Sequence, residues 1–221
     1  MKSLKFIAVI AVLFSCVYGY AQERKYSTFY YQRASLFEEL PIGKKDIIFL
    51  GNSITNGAEW FELLGGNKFV KNRGISGDIC EGVYDRLDPI LKGKPQKIFL
   101  MIGINDIGRG GSVEQVIDGT SKIINKIKAD SPRTKIYVQS LLPVTDHYGM
   151  FSGHTSRGLI IKKVNEELET NSKYWGVKYI DLYSHFIDPN TGKLNTLYSN
   201  DGLHLLGVGY KHWVKLLKPY I

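Results

Sequence analysis

Two stretches of the chain are apolar without alternation. Ile47-Ile48-Phe49-Leu50 stops at Gly51, and Ile98-Phe99-Leu100-Met101-Ile102 stops at Gly103. Short unbroken apolar runs that end at a glycine suit strands covered on both faces, as in the centre of a parallel sheet. Around them the apolar residues recur at helical spacing. From Ser27 to Leu40 the stripe is Tyr30, Ala34 and Phe37, widened by Leu36 and Leu40 and ended by Pro41-Ile42-Gly43. Ala58 to Leu64 reads as a helix stopped by Gly65-Gly66, and Ile79 to Leu91 as another that Pro89 kinks or ends. Ser112 and Gln115 form a capping-box pattern ahead of a helix to Ala129 with Val113, Val116, Ile117, Ile124 and Ile127 in period. Leu159 to Leu168 and Gly207 to Lys218 are the remaining helices. Shorter strands are expected at Lys68 to Lys71, at Ile136-Tyr137-Val138 with Leu141-Leu142-Pro143, and at Val177 to Leu182.

Strands separated by helices of this length need crossover connections, which place parallel strands in one sheet and helices over both faces. The pattern therefore predicts a three-layer α/β/α sandwich on a five-stranded parallel sheet, built as one domain over residues 22–221. Residues 1–21 are set apart. Lys2 and Lys5 precede a mostly apolar run from Phe6 to Val17 and small residues ending at Gly19-Tyr20-Ala21, the layout of a cleaved signal peptide. A second reading of the same segment is a lipoprotein box, Leu13-Phe14-Ser15-Cys16, with Cys16 lipidated, although Phe14 fits that box poorly. Either route delivers the chain to a secreted or periplasmic location. No later stretch reaches the ~20 apolar residues of a membrane helix.

Composition adds little to this picture. At 43% hydrophobic and 23% charged, the 221 residues are ordinary globular material with enough apolar content for a core. The formal charge of +8 falls by two when Lys2 and Lys5 leave with the leader. The remaining lysines, such as Lys122, Lys126 and Lys128, are spread along amphipathic helices without the aromatic interleaving of a nucleic-acid binder, so no nucleic-acid partner is expected. After cleavage only Cys80 remains, which excludes an intrachain disulfide.

The candidate chemistry collects where strands end. Ser53 follows the first strand, Gly77 lies in the loop after the second, Asn105 follows the third, and Asp201 shares a late loop with His204. The carboxyl edge of a parallel sheet is where ligands bind in open α/β proteins. Acyl transfer at a serine needs a base, a carboxylate to orient it and donors for the oxyanion, and these residue types supply all three. Each also has a bland reading: Ser53 as a helix cap, Asn105-Asp106 as a turn, Gly77 as a residue that needs positive φ. His147 beside Asp146 competes as a base, but a loop histidine next to an aspartate is usually solvated. His154, His185, His212 and Cys80 show no metal-ligand spacing and read as structural or surface residues, with His154 also a candidate for a place near substrate.

The blocks Gly51-Asn52-Ser53, Gly74-Ile75-Ser76-Gly77-Asp78, Gly103-Ile104-Asn105-Asp106 and Asp201-Gly202-Leu203-His204 together resemble the SGNH hydrolases, the GDSL-type esterase and lipase superfamily. The resemblance implies a flavodoxin-like fold with Ser53 as nucleophile, His204 as base and Asp201 as its partner. It also implies an oxyanion hole from the Ser53 and Gly77 N–H groups and the Asn105 amide, with no metal or organic cofactor. Asn52 departs from the family motif, which has aspartate there. Leu141-Leu142-Pro143-Val144, Asp181-Leu182-Tyr183 and the last block are most similar to bacterial sialate O-acetylesterases and to acetylhydrolases related to platelet-activating-factor acetylhydrolase. The resemblance therefore implies hydrolysis of small acyl esters, acetyl on carbohydrates such as sialic acid or xylan. Alternatives are a lysophospholipase or lipase of the same superfamily, and a noncatalytic glycan-binding protein. The segment Thr145 to Ser156 is the expected specificity loop. The alcohol part of the ester, the acyl length limit and the oligomeric state stay open.

Overall fold

The computed structural model describes residues 24–221, so the expected leader and Cys16 lie outside the described residues. Five parallel strands form one sheet: β1 (Ile47–Gly51), β2 (Val70–Gly74), β3 (Lys97–Met101), β4 (Lys135–Gln139) and β5 (Lys178–Ile180), in the order β2-β1-β3-β4-β5. The chain runs outward from β1 to β2 and then back across β1 to β3. That reversal opens a crevice at the carboxyl ends of β1 and β3, the place where such sheets bind ligands.

The two unalternating runs fold as expected. Ile48, Phe49 and Leu50 of β1 and Ile98, Phe99 and Leu100 of β3 are all essentially without solvent contact. Full burial of each such side chain contributes about 1.5–3 kcal/mol. Register puts Phe49, Phe99 and Tyr137 side by side on adjacent strands, and their rings stack at 5.0 and 4.6 Å. Trp60 covers Phe49 at 3.9 Å, and Trp213 meets Trp60 edge-on at 4.9 Å. The contacts add about 0.5–1.5 kcal/mol per pair beyond area. They also pin β1 to the helices over that face.

The long helices are α1 (Thr28–Glu39), α7 (Val113–Asp130), α9 (Gly158–Tyr174) and α11 (Gly207–Leu217). Shorter ones are α2 (Ser53–Asn56), α3 (Trp60–Leu63), α4 (Cys80–Asp85), α5 (Asp88–Lys92), α6 (Ile104–Gly108), α8 (Ser152–Thr155) and α10 (Tyr183–Phe186). The Ser112 capping box is formed in both directions.

Several expected boundaries are corrected. The second strand begins two residues later and continues through Asn72 and Arg73, because their polar side chains find partners inside the fold. Asn72 Nδ2 donates to the Asn56 and Ala58 carbonyls, and Arg73 donates to the Asn72 and Leu40 carbonyls. The helix from Ile79 divides in two, with Pro89 in the first turn of α5, where its missing N–H is harmless. Leu141-Leu142-Pro143 has left the sheet. There the Asn165 side chain replaces a strand neighbour, accepting from Leu141 N–H and donating to Leu141 O. The helix from Ala58 shrinks to α3, the one from Leu159 extends to Tyr174, and the fifth strand is only three residues long. Among the described residues no helix is long and apolar enough to cross a membrane.

Candidate active site

Strand β1 ends where no side chain fits: a Cβ on Gly51 would lie 2.4 Å from both the Met101 carbonyl and Thr55 Oγ1. The chain therefore turns directly into α2. Asn52, fully buried, caps that helix by accepting the Ile54 N–H at 3.0 Å. Ser53 is thus the first helical residue and not the cap. Gly74 lets β2 pass equally close, since a Cβ there would be 2.3 Å from Asn56 N. Helix α2 and the Gly74–Asp78 loop consequently pack backbone to backbone.

Gly77 has φ +80°, a conformation that glycine adopts without strain. On the other side of the crevice, Asn105 sits in α6 and donates through Nδ2 to the Asp78 carbonyl at 2.8 Å. That bond fixes the amide orientation, so Asn105 Oδ1 faces His154 Nε2 at 3.1 Å and accepts its proton. Neither the Ser53 N–H nor the Gly77 N–H meets an acceptor among the described residues, and the second Nδ2 hydrogen of Asn105 is likewise unpaired.

The last loop is built on itself. Ser199, buried, accepts the Gly202 N–H at 2.9 Å, and Asp201 Oδ1 accepts the N–H groups of Leu203 and His204, both at 2.8 Å. Gly202 has φ +89°, and a Cβ there would meet the Thr145 carbonyl at 2.0 Å, so the loop seats tightly on residue 145. Asp201 Oδ2 is then 2.7 Å from His204 Nδ1, and His204 Nε2 is 3.0 Å from Ser53 Oγ. With Nδ1–H donated to the carboxylate, Nε2 is left to accept the serine proton. Burial pushes the Asp201 carboxyl up, but the three donors from His204 and Leu203 outweigh it and hold the group below the usual carboxylate range. The carboxylate thus stays ionised beside the ring.

Behind the loops lies a buried ion pair. Arg86 Nε donates to Asp78 Oδ2 at 2.8 Å, and Arg86 Nη2 donates to the Gly51 carbonyl at 3.1 Å, which ties the end of β1 to the Gly77 loop. Burial pushes Asp78 up to about 6 although Arg86 pulls it down. The charge is compensated but poorly solvated.

All five residues expected from the sequence lie on the loops and short helices that leave one sheet edge or fold over it. Ser53, His204 and Asp201 form one hydrogen-bonded chain. His147 is exposed, and its neighbour Asp146 pairs with Lys193 at 2.6 Å. His212 Nε2 lies 3.0 Å from the His185 carbonyl and stacks on Tyr198, outside the Ser53–His204–Asp201 chain. Burial pushes the Cys80 thiol up, leaving it protonated. His154 is the residue that sequence reasoning placed too loosely. Its hydrogen bond to Asn105 depends on α8 inside the 145–156 segment, which carries no hydrophobic period. No sequence pattern marks it; in the structure Gly108, near one turn beyond Asn105, leaves room for the ring, since a Cβ there would lie 2.3 Å from His154 Nε2. Phe151 in the same segment meets the His204 ring edge-on at 5.2 Å.

Two cavities of about 580 and 560 Å³ open around Arg133 at the amino ends of the strands and touch none of these residues, and one of about 550 Å³ is lined by Cys80 and Asp106. A smaller one of about 180 Å³ is walled in part by Gly77 and Asp78. It borders Gly77 itself, as those three do not.

A parallel sheet of this order with a serine, a histidine and an aspartate hydrogen-bonded at its carboxyl edge defines the class of α/β serine hydrolases. The chain belongs to the GDSL-like Lipase/Acylhydrolase family, which it matches over residues 49–212, and it is a serine ester hydrolase. The noncatalytic alternative is thereby set aside. Among solved structures, it is similar to a Streptococcus pneumonia protein provisionally described as a platelet activating factor, with 29% identity and a TM-score of 0.80 over 97% of this chain and 98% of that one. It shares its fold with a provisionally assigned acylhydrolase from Bacteroides fragilis NCTC 9343 (22% identity, TM-score 0.76, 89% and 97% of the two chains). A GDSL-like lipase from Bacteroides thetaiotaomicron VPI-5482 also shares it (22%, 0.73, 86% and 95%). A curated relative is the N-acylneuraminate cytidylyltransferase of Escherichia coli O18:K1:H7, 28% identical over 144 residues. That match takes in 64% of this chain and about a third, 32%, of the relative.

Proposed function

We infer that residues 22–221 form a single-domain, exported esterase that removes small acyl groups, acetyl above all, from carbohydrate hydroxyls. In this reading Ser53 attacks the ester carbonyl while His204, oriented by Asp201, takes the Ser53 proton and returns it to the leaving alcohol. Water then attacks the acyl enzyme by the same route. The Ser53 and Gly77 N–H groups and the Asn105 amide hold the oxyanion, and His154 positions that amide. Each donor is worth about 3–4 kcal/mol of barrier. The observation that carries the reading is the Ser53–His204–Asp201 chain beside three unpaired donors.

Support for an oxygen-rich substrate comes from the cavity beside Gly77, whose walls include Ser27, Ser76 and Arg109 and suit a polar substituent better than a long acyl chain. The partial match to a protein that acts on N-acylneuraminate points the same way. A lipid reading is favoured by one feature. Met150 and Phe151 are exposed beside His204 and present an apolar rim.

Hydrolysis of p-nitrophenyl acetate, butyrate and octanoate by the mature chain, with Ser53→Ala as the blank, separates the two. A rate that falls steeply after acetate and disappears in the variant supports the acetylesterase. A preference for octanoate selects the lipid reading, and turnover that survives Ser53→Ala removes Ser53 from the mechanism. Cleavage after Ala21 is checked by amino-terminal sequencing of the exported protein, and an acylated Cys16 in its place would overturn simple export.

A further inference from the structure

The cavity beside Gly77 carries a charge that ester hydrolysis does not require. Its walls are Ser76 and Gly77 on one side, Arg109 on another, and the stretch from Lys25 to Tyr30 that leads into α1. Sites for whole small molecules run to about 300–1,000 Å³. At about 180 Å³ this one admits a substituent of the substrate and not all of it.

The charged groups around it are accounted for except one. Lys25 is held by Glu81 and Asp85 at 2.9 and 2.8 Å. Asp78 is bound to Arg86. Arg109 is exposed and makes no ion pair among the described residues. Asp106, which feels its charge, is turned instead to the Cys80 N–H at 3.1 and 3.2 Å. Among the described residues the Arg109 side chain makes one hydrogen bond, Nη2 donating to the Gly77 carbonyl at 2.7 Å.

That contact leaves four N–H groups on a planar fork whose geometry matches a carboxylate. Tethering by the Gly77 carbonyl also pre-orients a side chain that otherwise loses rotamer freedom on binding. Ser27 Oγ accepts the Tyr30 N–H at 3.1 Å and keeps its own proton for a ligand. Gly77 offers its N–H to the expected oxyanion and its carbonyl to Arg109, so the two binding features are about one residue apart.

The geometry points to a carboxylate subsite: the ester substrate carries an anionic group that enters the cavity between Gly77 and Tyr30 and binds Arg109. This rests on the esterase reading above and narrows its substrate to acidic esters, such as an acylated acidic sugar or the half-ester of a diacid. A single unpaired guanidinium matches a monoanion, and the hydroxyl beside it donates to the same oxygens.

The test compares kcat/KM for neutral phenyl acetate, for 4-acetoxybenzoate with its carboxylate on the alcohol side, and for monophenyl succinate with its carboxylate on the acyl side. The enzymes are wild type, Arg109→Gln and Arg109→Lys. Glutamine keeps a donor for the Gly77 carbonyl but removes the charge. The quantity read is the ratio of anionic to neutral ester, which absorbs any general change in activity. In Arg109→Gln that ratio falls about tenfold or more for at least one anionic ester. Arg109→Lys restores part of it, and added salt shrinks the difference. The ester that responds identifies the side on which the carboxylate sits. An unchanged ratio for both esters overturns the subsite, and so does an equal loss on all three substrates, because that reports damage to the Gly77 loop. Calorimetric titration of Ser53→Ala with both anionic esters decides the matter without turnover: binding weakens about tenfold when Arg109→Gln is added, or the subsite does not exist. Absence of Ser53-dependent hydrolysis in the wild type would sink the esterase reading alone.

Discussion

Asn105 is gripped at both ends, by the Asp78 carbonyl on Nδ2 and by His154 Nε2–H on Oδ1, and loosening one end should weaken catalysis without unfolding the protein. Replacing His154 with alanine removes a hydrogen bond of about 0.5–1.5 kcal/mol net. It also leaves the Asn105 amide able to turn away from an oxyanion that a well-aimed donor stabilises by about 2.7–4 kcal/mol. The expected loss in kcat lies between those limits, about threefold to a hundredfold, with KM little changed. His154→Gln presents an N–H of similar reach and recovers most of it. A second perturbation reaches the same contact from the far side: Gly108→Ala places a methyl 2.3 Å from His154 Nε2 and must push the ring off Asn105. Burial, then the electrostatic influence of the nearby His204 ring and of Arg109, keep His154 below the ordinary histidine value, so the ring is neutral at pH 7 and above. The kcat ratio of wild type to His154→Ala should therefore stay flat from pH 7 to 9. The assay is steady-state hydrolysis of p-nitrophenyl acetate alongside thermal melts. A His154→Ala enzyme within twofold of wild type would refute the reasoning, as would equal deficits in His154→Ala and His154→Gln that follow a lowered Tm.

Three further changes probe the frame around the site. Asp201→Asn keeps an oxygen for the Leu203 and His204 amides but turns an NH₂ toward His204 Nδ1, which favours the tautomer with Nε2 protonated. Steady-state kinetics should show kcat down about 10⁴-fold with Tm nearly unchanged. Gly202→Ala forces a side chain to φ +89° and to 2.0 Å from the Thr145 carbonyl, so urea titration should show a loss of at least about 1–3 kcal/mol, and activity should fall with it. Arg86→Leu breaks a buried pair and should destabilise by about 3–5 kcal/mol in the same titration. Burial already holds the Asp78 proton in the folded chain up to about pH 6, above its release in the unfolded chain, so its contribution to stability declines as pH rises from about 4 through 6. Without Arg86 that folded value climbs further, and Arg86→Leu should lose more stability than wild type between pH 4 and 7. An offset between the two proteins that is independent of pH would count against the assignment.

The core strands were legible because β1 and β3 are covered on both faces, which leaves an unbroken apolar run with a glycine at its end. Strand β2 was misplaced for the opposite reason. Asn72 and Arg73 look like loop residues until the fold supplies Asn56, Ala58 and Leu40 carbonyls to receive their protons. The end of α9 was missed because Glu169 to Tyr174 continues the helix with mostly polar residues, where period carries no signal. Ser53, Gly77, Asn105, Asp201 and His204 stood out because each lies at a strand end or in one short loop, and backbone topology alone brings strand ends together. The His154 contact and the Arg109 cavity depend on how the 145–156 segment and the chain before α1 drape over that edge. Neither segment has a periodic pattern, and Phe151 even adopts a left-handed backbone at φ +50°.

Asp201 and His204 lie three residues apart, while Ser53 lies 151 residues before its base. In order of synthesis Ser53, Gly77 and Asn105, the proposed nucleophile and oxyanion donors, therefore emerge before His204, the proposed base. A nascent chain that has assembled its sheet lacks this proposed proton acceptor for Ser53 until the Ser199–His204 loop closes over the edge. On the proposed roles the enzyme stays silent until that loop docks, and activity in a refolding time course should follow that step and not the earlier formation of the sheet.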